Sequence, residues 1–419
     1  MVGSLVVFSL TYLVIASRQL QWIGLDRPAG AIVGAVAMVV VGGLPMDEAL
    51  AAIDLHIITL LFGVLVIAAY LSEARFFKLT AYLVLVRAKS ARQLLFALVA
   101  VVGALSALLL NDTVCVLLTP LVVAVVVEAR LPPLPYLLAL ASSANVGGVV
   151  SFSGNPQNVV VGAAAHDSIG FAQYFALTLP VGDACLAANA LAIAWLFRKE
   201  LPEGPLVKLE IPKPAIEKSL ALKSLGALLL FVILAVAGVS LDGAAMTAAA
   251  ALMVVARTPP KQMFAWFDWQ LLVFFAGLLV VIKGIEHAGV IDVVFAQISP
   301  LIGRGDTLGD FAFIALIVVV SNVVSNVPAV LVAVAWVPNM PEPTWGYVML
   351  AVASTLAGNL TLFGSVANII VMEGAGPRGE IGFWRFLRFG LVITLLDLGL
   401  AFGILGGERA IGVYGWLGL

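Results

Sequence analysis

Charge is scarce in this chain of 419 residues, of which only 11% are charged, and the net charge is −2. Nucleic-acid binding needs an excess of basic side chains, so a nucleic acid is not an expected partner. The chain has only two cysteines, Cys115 and Cys185, and three histidines. Both cysteines lie in apolar runs, so neither a structural disulfide nor a four-ligand zinc site is expected.

Catalytic patterns are also missing. The sequence has no Gly-x-x-x-x-Gly-Lys-Ser/Thr loop, which would cradle the phosphates of ATP. It shows no Ser, His and Asp arrangement of the kind that hydrolases use. We therefore expect a protein that is not an enzyme and that has no cofactor or bound metal.

Apolar residues, in contrast, make up 62% of the chain, and the mean hydropathy is +1.13. No soluble fold needs so much apolar surface, so the sequence predicts an all-α polytopic membrane protein whose main partner is the lipid bilayer. About ten transmembrane helices are expected, because ten apolar stretches can cross about 30 Å of hydrocarbon. They run near residues 2–17, 29–45, 54–71, 136–165, 170–197, 220–241, 243–256, 267–285, 345–374 and 386–407.

Two further apolar blocks, 92–128 and 309–337, are each interrupted by an Asn-containing break. Each block is predicted to form a re-entrant helical hairpin or two thin spans. In either case the chain returns to the side from which it entered, so the topology is unchanged.

Basic residues set the predicted orientation, because they accumulate on the cytoplasmic side of a membrane. Nineteen of the 22 Lys and Arg residues fall in six loops that share one side. These loops are 18–28, 72–92, 129–135, 198–223, 257–267 and 375–388. We expect a multi-pass protein of the bacterial inner membrane whose central loop is cytoplasmic and whose two termini are periplasmic.

Each half of the chain has five predicted crossings and one broken block. An odd number of crossings inverts the second half, so residues 1–197 and 220–419 are predicted to be inverted repeats joined by a cytoplasmic linker, 198–219. The spacing of the polar breaks supports this interpretation. Asn111 and Asn326 lie 215 residues apart, and Asn158 and Asn368 lie 210 apart.

Polar, helix-breaking residues at bilayer depth are tolerated where they line a cavity, and paired breaks in two halves indicate a transporter's binding site. Half-helix ends at such breaks carry partial charges that bind polar groups. The predicted substrate-binding residues are Asn111, Thr113, Ser153, Gly154, Asn155, Asn158, Ser325, Asn326, Gly364, Ser365 and Asn368. Further candidates are Asn145, Ser321, Asn322, Asn359 and Thr361. The alternative is that individual Asn and Ser side chains only hold helices together.

Asp112 stands at the first break, between two apolar runs. An intramembrane carboxylate is costly, so we predict that Asp112 carries the coupled proton. Val327 occupies the matching place in the second half. The alternative role for Asp112 is to cap a half-helix N-terminus. Asp183 is a weaker candidate for coupling, and Asp397 receives no role.

The breaks resemble those of the ion transporter superfamily, and especially those of the arsenite/antimonite efflux permeases. The motifs that carry this resemblance are Asn111-Asp112-Thr113, Ser153-Gly154-Asn155-Pro156-Gln157-Asn158, Ser321-Asn322-x-x-Ser325-Asn326-Val327-Pro328 and Gly358-Asn359-x-x-x-x-Gly364-Ser365-x-x-Asn368.

The resemblance implies an antiporter that exports arsenite and antimonite, which are neutral trivalent hydroxides, in exchange for protons. It also implies a soluble arsenite-stimulated ATPase subunit as a candidate partner. Two alternatives stay open within the superfamily: a sodium/proton antiporter, and a sodium-coupled anion or dicarboxylate transporter. The negative Asp112 argues against a dicarboxylate cargo, which it would repel.

Overall fold

The computed structural model of the protein describes residues 1–16, 26–206 and 213–419. These residues are helical or irregular and contain no β-strand, apart from one isolated bridge between Ser90 and Pro205. The predicted all-α fold is therefore confirmed. Two predicted cytoplasmic segments, 18–28 and 198–219, fall partly on 17–25 and 207–212, which lie outside the described residues.

The helices of the first half are α1 (Val2–Ala16), α2 (Arg27–Val40), α3 (Met46–Ala51), α4 (Leu55–Glu73), α5 (Phe76–Arg87), α6 (Ala91–Ser106), α7 (Asn111–Glu128), α8 (Pro133–Gly148), α9 (Pro156–Ala164) and α10 (Phe171–Leu196). Those of the second half are α11 (Lys218–Val236), α12 (Leu241–Ala256), α13 (Pro260–Met263), α14 (Trp269–His287), α15 (Val290–Ile302), α16 (Thr307–Val324), α17 (Asn326–Ala333), α18 (Pro343–Ala357), α19 (Val366–Gly374), α20 (Phe383–Ala410) and α21 (Val413–Trp416). Short 3-10 helices span Phe264–Trp266, Val337–Asn339 and Gly376–Gly379.

Seven helical segments of the described chain are long and apolar enough to cross a membrane. They are Met46–Glu73, which contains α3 and α4, together with α7, α10, α11, α14, α16 and α20. The shorter apolar helices α1, α2 and α12 coincide with further predicted crossings, and α6 belongs to the first interrupted block. The predicted stretches 136–165 and 345–374 are each two helices separated by an unwound segment. The first unwound segment, residues 149–155, lies between α8 and α9, and the second, residues 358–365, lies between α18 and α19.

Each of the two interrupted blocks forms a pair of helices, which we call the first and the second hairpin. The sharp break between the two helices of a pair is the hairpin tip. In the first, α6 ends at Ser106 and α7 begins at Asn111. In the second, α16 and α17 are separated by Ser325 alone, whose φ is 75°. A non-glycine residue with positive φ is strained, at a cost of about 1–3 kcal/mol. This backbone conformation at Ser325 reverses the chain within one residue, so the N-terminus of α17 points into the protein.

The two halves pack on each other through two matching close contacts. A Cβ on Gly63 of α4 would lie 2.7 Å from Ala245 of α12, and one on Gly277 of α14 would lie 2.8 Å from Ala31 of α2. Both the two glycines and the two alanines are 214 residues apart. Small residues let helix backbones approach closely in membranes. These contacts bring α4 close to α12 and α14 close to α2.

Candidate functional site

All four breaks converge on one cavity of about 360 Å³. Its wall includes a residue from the first turn of each broken helix: Asp112 of α7, Pro156 of α9, Val327 of α17 and Val366 of α19. A helix N-terminus carries about half a positive charge and unpaired backbone N–H groups. Four such ends around one space favour the binding of oxygen atoms that accept hydrogen bonds.

The charged groups of the cavity wall are mostly acidic. Asp112 is buried, with 7% of its surface exposed. The other carboxyls, Asp26, Asp268 and Glu373, stand at or near helix ends and are more exposed. Arg27 is the basic residue among the described lining residues. The wall therefore carries an excess of acidic groups, and Asp112 is the one buried carboxyl among them.

Asn145, in α8, ties the tip of the first hairpin to the second unwound segment. Its Oδ1 accepts hydrogen bonds from Asn111 Nδ2 at 3.0 Å and from Ser365 Oγ at 2.9 Å. Its Nδ2 donates to Asn359 Oδ1 at 2.9 Å and to Asn368 Oδ1 at 3.2 Å. Two donated and two accepted bonds use the full capacity of an amide side chain.

Thr355, in α18, bonds in a similar way to side chains at the end of the first unwound segment and the start of α9. Its Oγ1 accepts from Asn155 Nδ2 at 3.0 Å and from Gln157 Nε2 at 3.4 Å, and it donates to Asn158 Oδ1 at 3.1 Å. Sequence reasoning missed Thr355, because a single threonine in an apolar run is common in membrane helices. One signal could have found it: Thr355 lies 210 residues after Asn145, at the spacing of the paired breaks.

Close backbone contacts fix the first break. The carbonyl of Gly154 accepts the backbone N–H of Asn111 at 2.9 Å, which joins the unwound segment to the hairpin tip. A Cβ on Gly154 would lie 2.6 Å from the carbonyl oxygen of Gly148. Only glycine fits at such an approach. The matching Gly364 has its Cβ position 2.6 Å from Asn322 Oδ1.

Of the twelve predicted site residues, only Asp112 belongs to the cavity wall. Thr113 lies in the wall of a neighbouring cavity, with Arg75 and Lys78. Ser153 pairs with the hydroxyl of Ser151 at 3.2 Å and belongs to neither wall.

The remaining predicted residues are not part of the cavity wall. Ser325 holds the strained turn, and Asn326 is buried with an Oδ1 that has no partner among the described residues. The other amides and hydroxyls hold the four helix starts in place, so their direct contact with a substrate stays a prediction.

Comparisons with known proteins agree with this architecture. A family model described as a citrate transporter matches residues 12–346. The silicon efflux transporter LSI3 of Oryza sativa subsp. japonica is 30% identical, over 96% of this chain and 96% of its own length. A Dictyostelium discoideum protein provisionally named transporter arsB is 24% identical, over 89% of this chain and 86% of its own length.

Among solved structures, the chain is similar to the YdaH transporter of Alcanivorax borkumensis, whose crystal structure is described as having an unusual topology. The TM-score is 0.58, with 15% sequence identity, and the likeness covers 87% of this chain and 86% of that one. At this identity the comparison concerns the fold alone.

Proposed function

The chain belongs to the citrate transporter family and is a secondary transporter, and we propose that it exports arsenite and antimonite in exchange for protons. The observation that carries the proposal is the cavity at which four helix N-termini meet and whose one buried carboxyl is Asp112. That combination suits a small, neutral, hydroxyl-rich cargo.

Electrostatics selects against an anionic cargo. A cavity with Asp26, Asp112, Asp268 and Glu373 in its wall repels a di- or tricarboxylate unless a cation accompanies it. Arsenous acid is neutral near pH 7 and avoids this repulsion. Its hydroxyl groups can donate to the Asp112 carboxylate, and its oxygen atoms can accept from the N–H groups of the helix starts.

Exchange with protons follows from competition for one carboxylate. The ionised Asp112 accepts a hydrogen bond from a cargo hydroxyl, whereas protonation of Asp112 removes that charged acceptor and weakens cargo binding. Cargo is then released where the proton arrives, and the proton is released where cargo binds. Antiport requires that the proton and the cargo exclude each other from the binding site. Competition for the Asp112 carboxylate meets this requirement without a basic residue in the cavity.

The relatives support the same class of cargo. One of them is named a silicon efflux transporter, and another bears the name transporter arsB. Silicon, like trivalent arsenic, is carried in water as a small neutral hydroxide. A soluble ATPase subunit remains a prediction from the resemblance alone.

Two inverted repeats, 1–197 and 220–419, would place the four breaks around a common centre. Equivalent polar contacts at spacings of 210 to 215 residues support this division of the chain. The cavity wall also includes the start of α2 and the residue before α14, in loops whose basic residues are predicted to be cytoplasmic. We propose that the cavity opens to the cytoplasm of a bacterial cell.

The direct test is arsenite resistance in a bacterium that lacks its own arsenite pumps. Expression of the wild-type chain is expected to raise the tolerated arsenite and antimonite concentrations, and Asp112→Asn is expected to abolish the gain. Asp292→Asn is the matched control, because Asp292 is an exposed acid in the first turn of α15 outside the cavity. Wild-type expression without any gain in resistance would reject the proposed cargo.

A sodium/proton antiporter is the second candidate, favoured by the excess of carboxyls in the cavity wall, which suits a cation. Proteoliposomes with an internal pH dye separate the two functions. A proton flux that needs sodium and ignores arsenite supports the second candidate. Uptake of labelled citrate that needs sodium or a divalent cation would instead indicate an anion transporter.

A further inference from the structure

Asp397 is a fully buried carboxyl that the proposed cycle does not use. It lies in the middle of α20, which packs against α10, and none of its surface is exposed. Cys185 and Asn189 of α10 face it. The backbone of α20 also touches the second unwound segment, where Gly390 approaches the carbonyl of Asn359. Asp397 therefore lies at the junction of a scaffold helix pair and a broken helix.

Hydrogen bonding around Asp397 is incomplete. Its Oδ2 accepts a hydrogen bond from Asn359 Nδ2 at 3.4 Å, whereas its Oδ1 has no partner among the described residues. Asn189 lies beside the carboxyl, but neither of its polar atoms reaches hydrogen-bond geometry with a described residue, and the same holds for the hydroxyl of Thr394, one turn earlier on α20. These three side chains are almost completely buried. Since buried polar groups are nearly always paired, this cluster calls for a small polar occupant.

No basic side chain among the described residues balances the charge of the Asp397 carboxylate. The titratable group that faces it from α10 is Cys185, whose thiol donates to the backbone carbonyl of Asp397 at 3.5 Å. The unwound segment contributes only the amide of Asn359, and α18 and α21, which also pack against α20, contribute no charged partner in the described chain. No described Lys, Arg or His contacts the carboxyl. An ionised group in such surroundings is costly, and a bound proton removes that cost.

A chain of amides connects Asp397 to the tip that carries Asp112. Asn111 Nδ2 donates to Asn145 Oδ1 at 3.0 Å, and Asn145 Nδ2 donates to Asn359 Oδ1 at 2.9 Å. Asn359 then donates to Asp397, so every bond points toward the carboxyl. At the other end, Asn111 Oδ1 accepts the backbone N–H of Asp112 at 2.9 Å. Aligned hydrogen bonds of this kind polarise one another.

We propose that Asp397 is a second proton-binding site of the transport cycle, linked to the Asp112 tip through Asn359, Asn145 and Asn111. Neutral amides do not conduct protons, so the link acts through hydrogen-bond strength and position. The ionised Asp397 holds Asn359 firmly, because a charged acceptor makes the stronger bond. Protonation loosens Asn359, and with it the unwound segment whose other end lines the cavity.

The coupling also operates in the reverse direction. A movement of the second unwound segment that withdraws Asn359 breaks the hydrogen bond from Asn359 to the Asp397 carboxyl. The loss of this donor favours the protonated form of Asp397. Two conformations with different proton affinities at Asp397 are enough to link a proton to each transport cycle. This inference rests on the proton coupling proposed above and is independent of the identity of the cargo.

The transport test uses purified full-length protein in proteoliposomes, with arsenite as the probe. Arsenite counterflow at equal pH reports binding and movement, and an internal pH dye reports the protons moved per arsenite. Asp397→Asn is expected to retain counterflow but to move one proton fewer per arsenite and to flatten the pH dependence. Asp292→Asn, which changes an exposed acid in the first turn of α15, is the control and is expected to match the wild type. A wild-type proton ratio and pH profile in Asp397→Asn would overturn the proposal.

A second variant covers the case in which Asp397→Asn does not assemble. Asn189→Ala keeps the carboxyl and removes its neighbouring amide, and it is expected to shift the pH midpoint of counterflow upward, because less polar surroundings favour the neutral carboxyl. An unchanged midpoint counts against the proposal.

A third measurement does not depend on cargo. Infrared spectroscopy of the detergent-solubilised Asp112→Asn variant, which lacks the other proposed proton carrier, is expected to show a protonated carboxyl band that titrates with pH and persists when Asp292→Asn is added. Its absence from Asp112→Asn, or its persistence in an assembled Asp112→Asn/Asp397→Asn double variant, overturns the proposal. If wild-type liposomes show no arsenite counterflow but the band behaves as expected, the cargo assignment fails and the role of Asp397 stands.

Discussion

Asn158 and Asn368 make the same two hydrogen bonds in the two halves of the chain. The Nδ2 of Asn158 donates to the backbone carbonyls 10 and 7 residues earlier, at 2.9 and 3.1 Å. The Nδ2 of Asn368 donates to the carbonyls at the same two offsets, at 2.7 and 3.0 Å. Each unwound segment is thus held by an amide from the helix that follows it, which supplies donors to carbonyls that no helix can satisfy.

Replacing either amide is expected to destabilise the protein. Asn158→Ala and Asn368→Ala each remove two hydrogen bonds to the backbone of an unwound segment. The cost is about 0.5–1.5 kcal/mol for each bond. The measurement is the apparent melting temperature in detergent. Asn339→Ala is the control, since Asn339 is exposed. Equal melting temperatures for all three variants would contradict the role given to the two amides.

The glycine at the first break is expected to resist substitution. Gly154→Ala places a methyl group 2.6 Å from one backbone oxygen and 2.8 Å from that of Ser106, and backbone atoms cannot swing aside. Overpacking of this kind costs about 1–3 kcal/mol. Gly226→Ala in α11 meets no described atom within 4 Å and serves as the control. The yield of monodisperse protein and its thermal stability check the prediction, which fails if both variants behave alike.

Thr355 is expected to matter through its hydroxyl, although no motif marks it. Thr355→Val keeps the shape but removes the partner of three side chains, two of which are Asn155 and Asn158. Leaving buried partners unsatisfied costs about 1–3 kcal/mol. Thr355→Ser keeps the hydroxyl and is expected to restore most of the stability. Thermal unfolding decides between a polar role and a packing role, since a packing role predicts that serine is worse than valine.

The acid at the first hairpin tip is expected to carry the proton coupling. Asp112→Asn removes the charged acceptor of the cargo hydroxyl, so arsenite exchange driven by a pH gradient is expected to be lost even though Asp397 can still bind a proton. The fold is expected to assemble, because the two side chains have nearly the same shape. Transport under an imposed pH gradient, together with gel filtration, checks both parts of the prediction. Wild-type pH dependence in this variant removes Asp112 from the coupling role.

The side on which the cavity opens can be measured by cysteine labelling. Both native cysteines are buried, so they give little background. Gln270→Cys lies in the cavity wall and is expected to react with a membrane-impermeant maleimide in inside-out vesicles. Glu342→Cys lies in a loop predicted to be periplasmic and is expected to react in intact spheroplasts. The reverse pattern would show that the orientation inferred from the basic loops is wrong.

The helical elements were largely predictable, because hydropathy and helix breakers act locally. The break before Asn111 and the turn at Ser325 both fall where a polar residue interrupts an apolar run. The pairing of Asn158 with Asn368 was also visible, since a repeated fold leaves residues of the same type at a constant spacing. Thr355 was harder to find, because its partner position, Asn145, has another residue type and the spacing of 210 residues is the one sequence signal that points to it.

The sequence by itself determined that the chain is a helical membrane protein with four polar breaks and an acid at one of them, since hydrophobicity and helix-breaking chemistry reside in each residue. Only the tertiary structure decided which polar groups line the cavity and which hold its frame. An amide's role depends on which carbonyls come within about 3 Å of it, and packing alone sets that distance. For the same reason the isolated acid Asp397 became a candidate only when its unpaired neighbours and its link to Asn359 were seen in three dimensions.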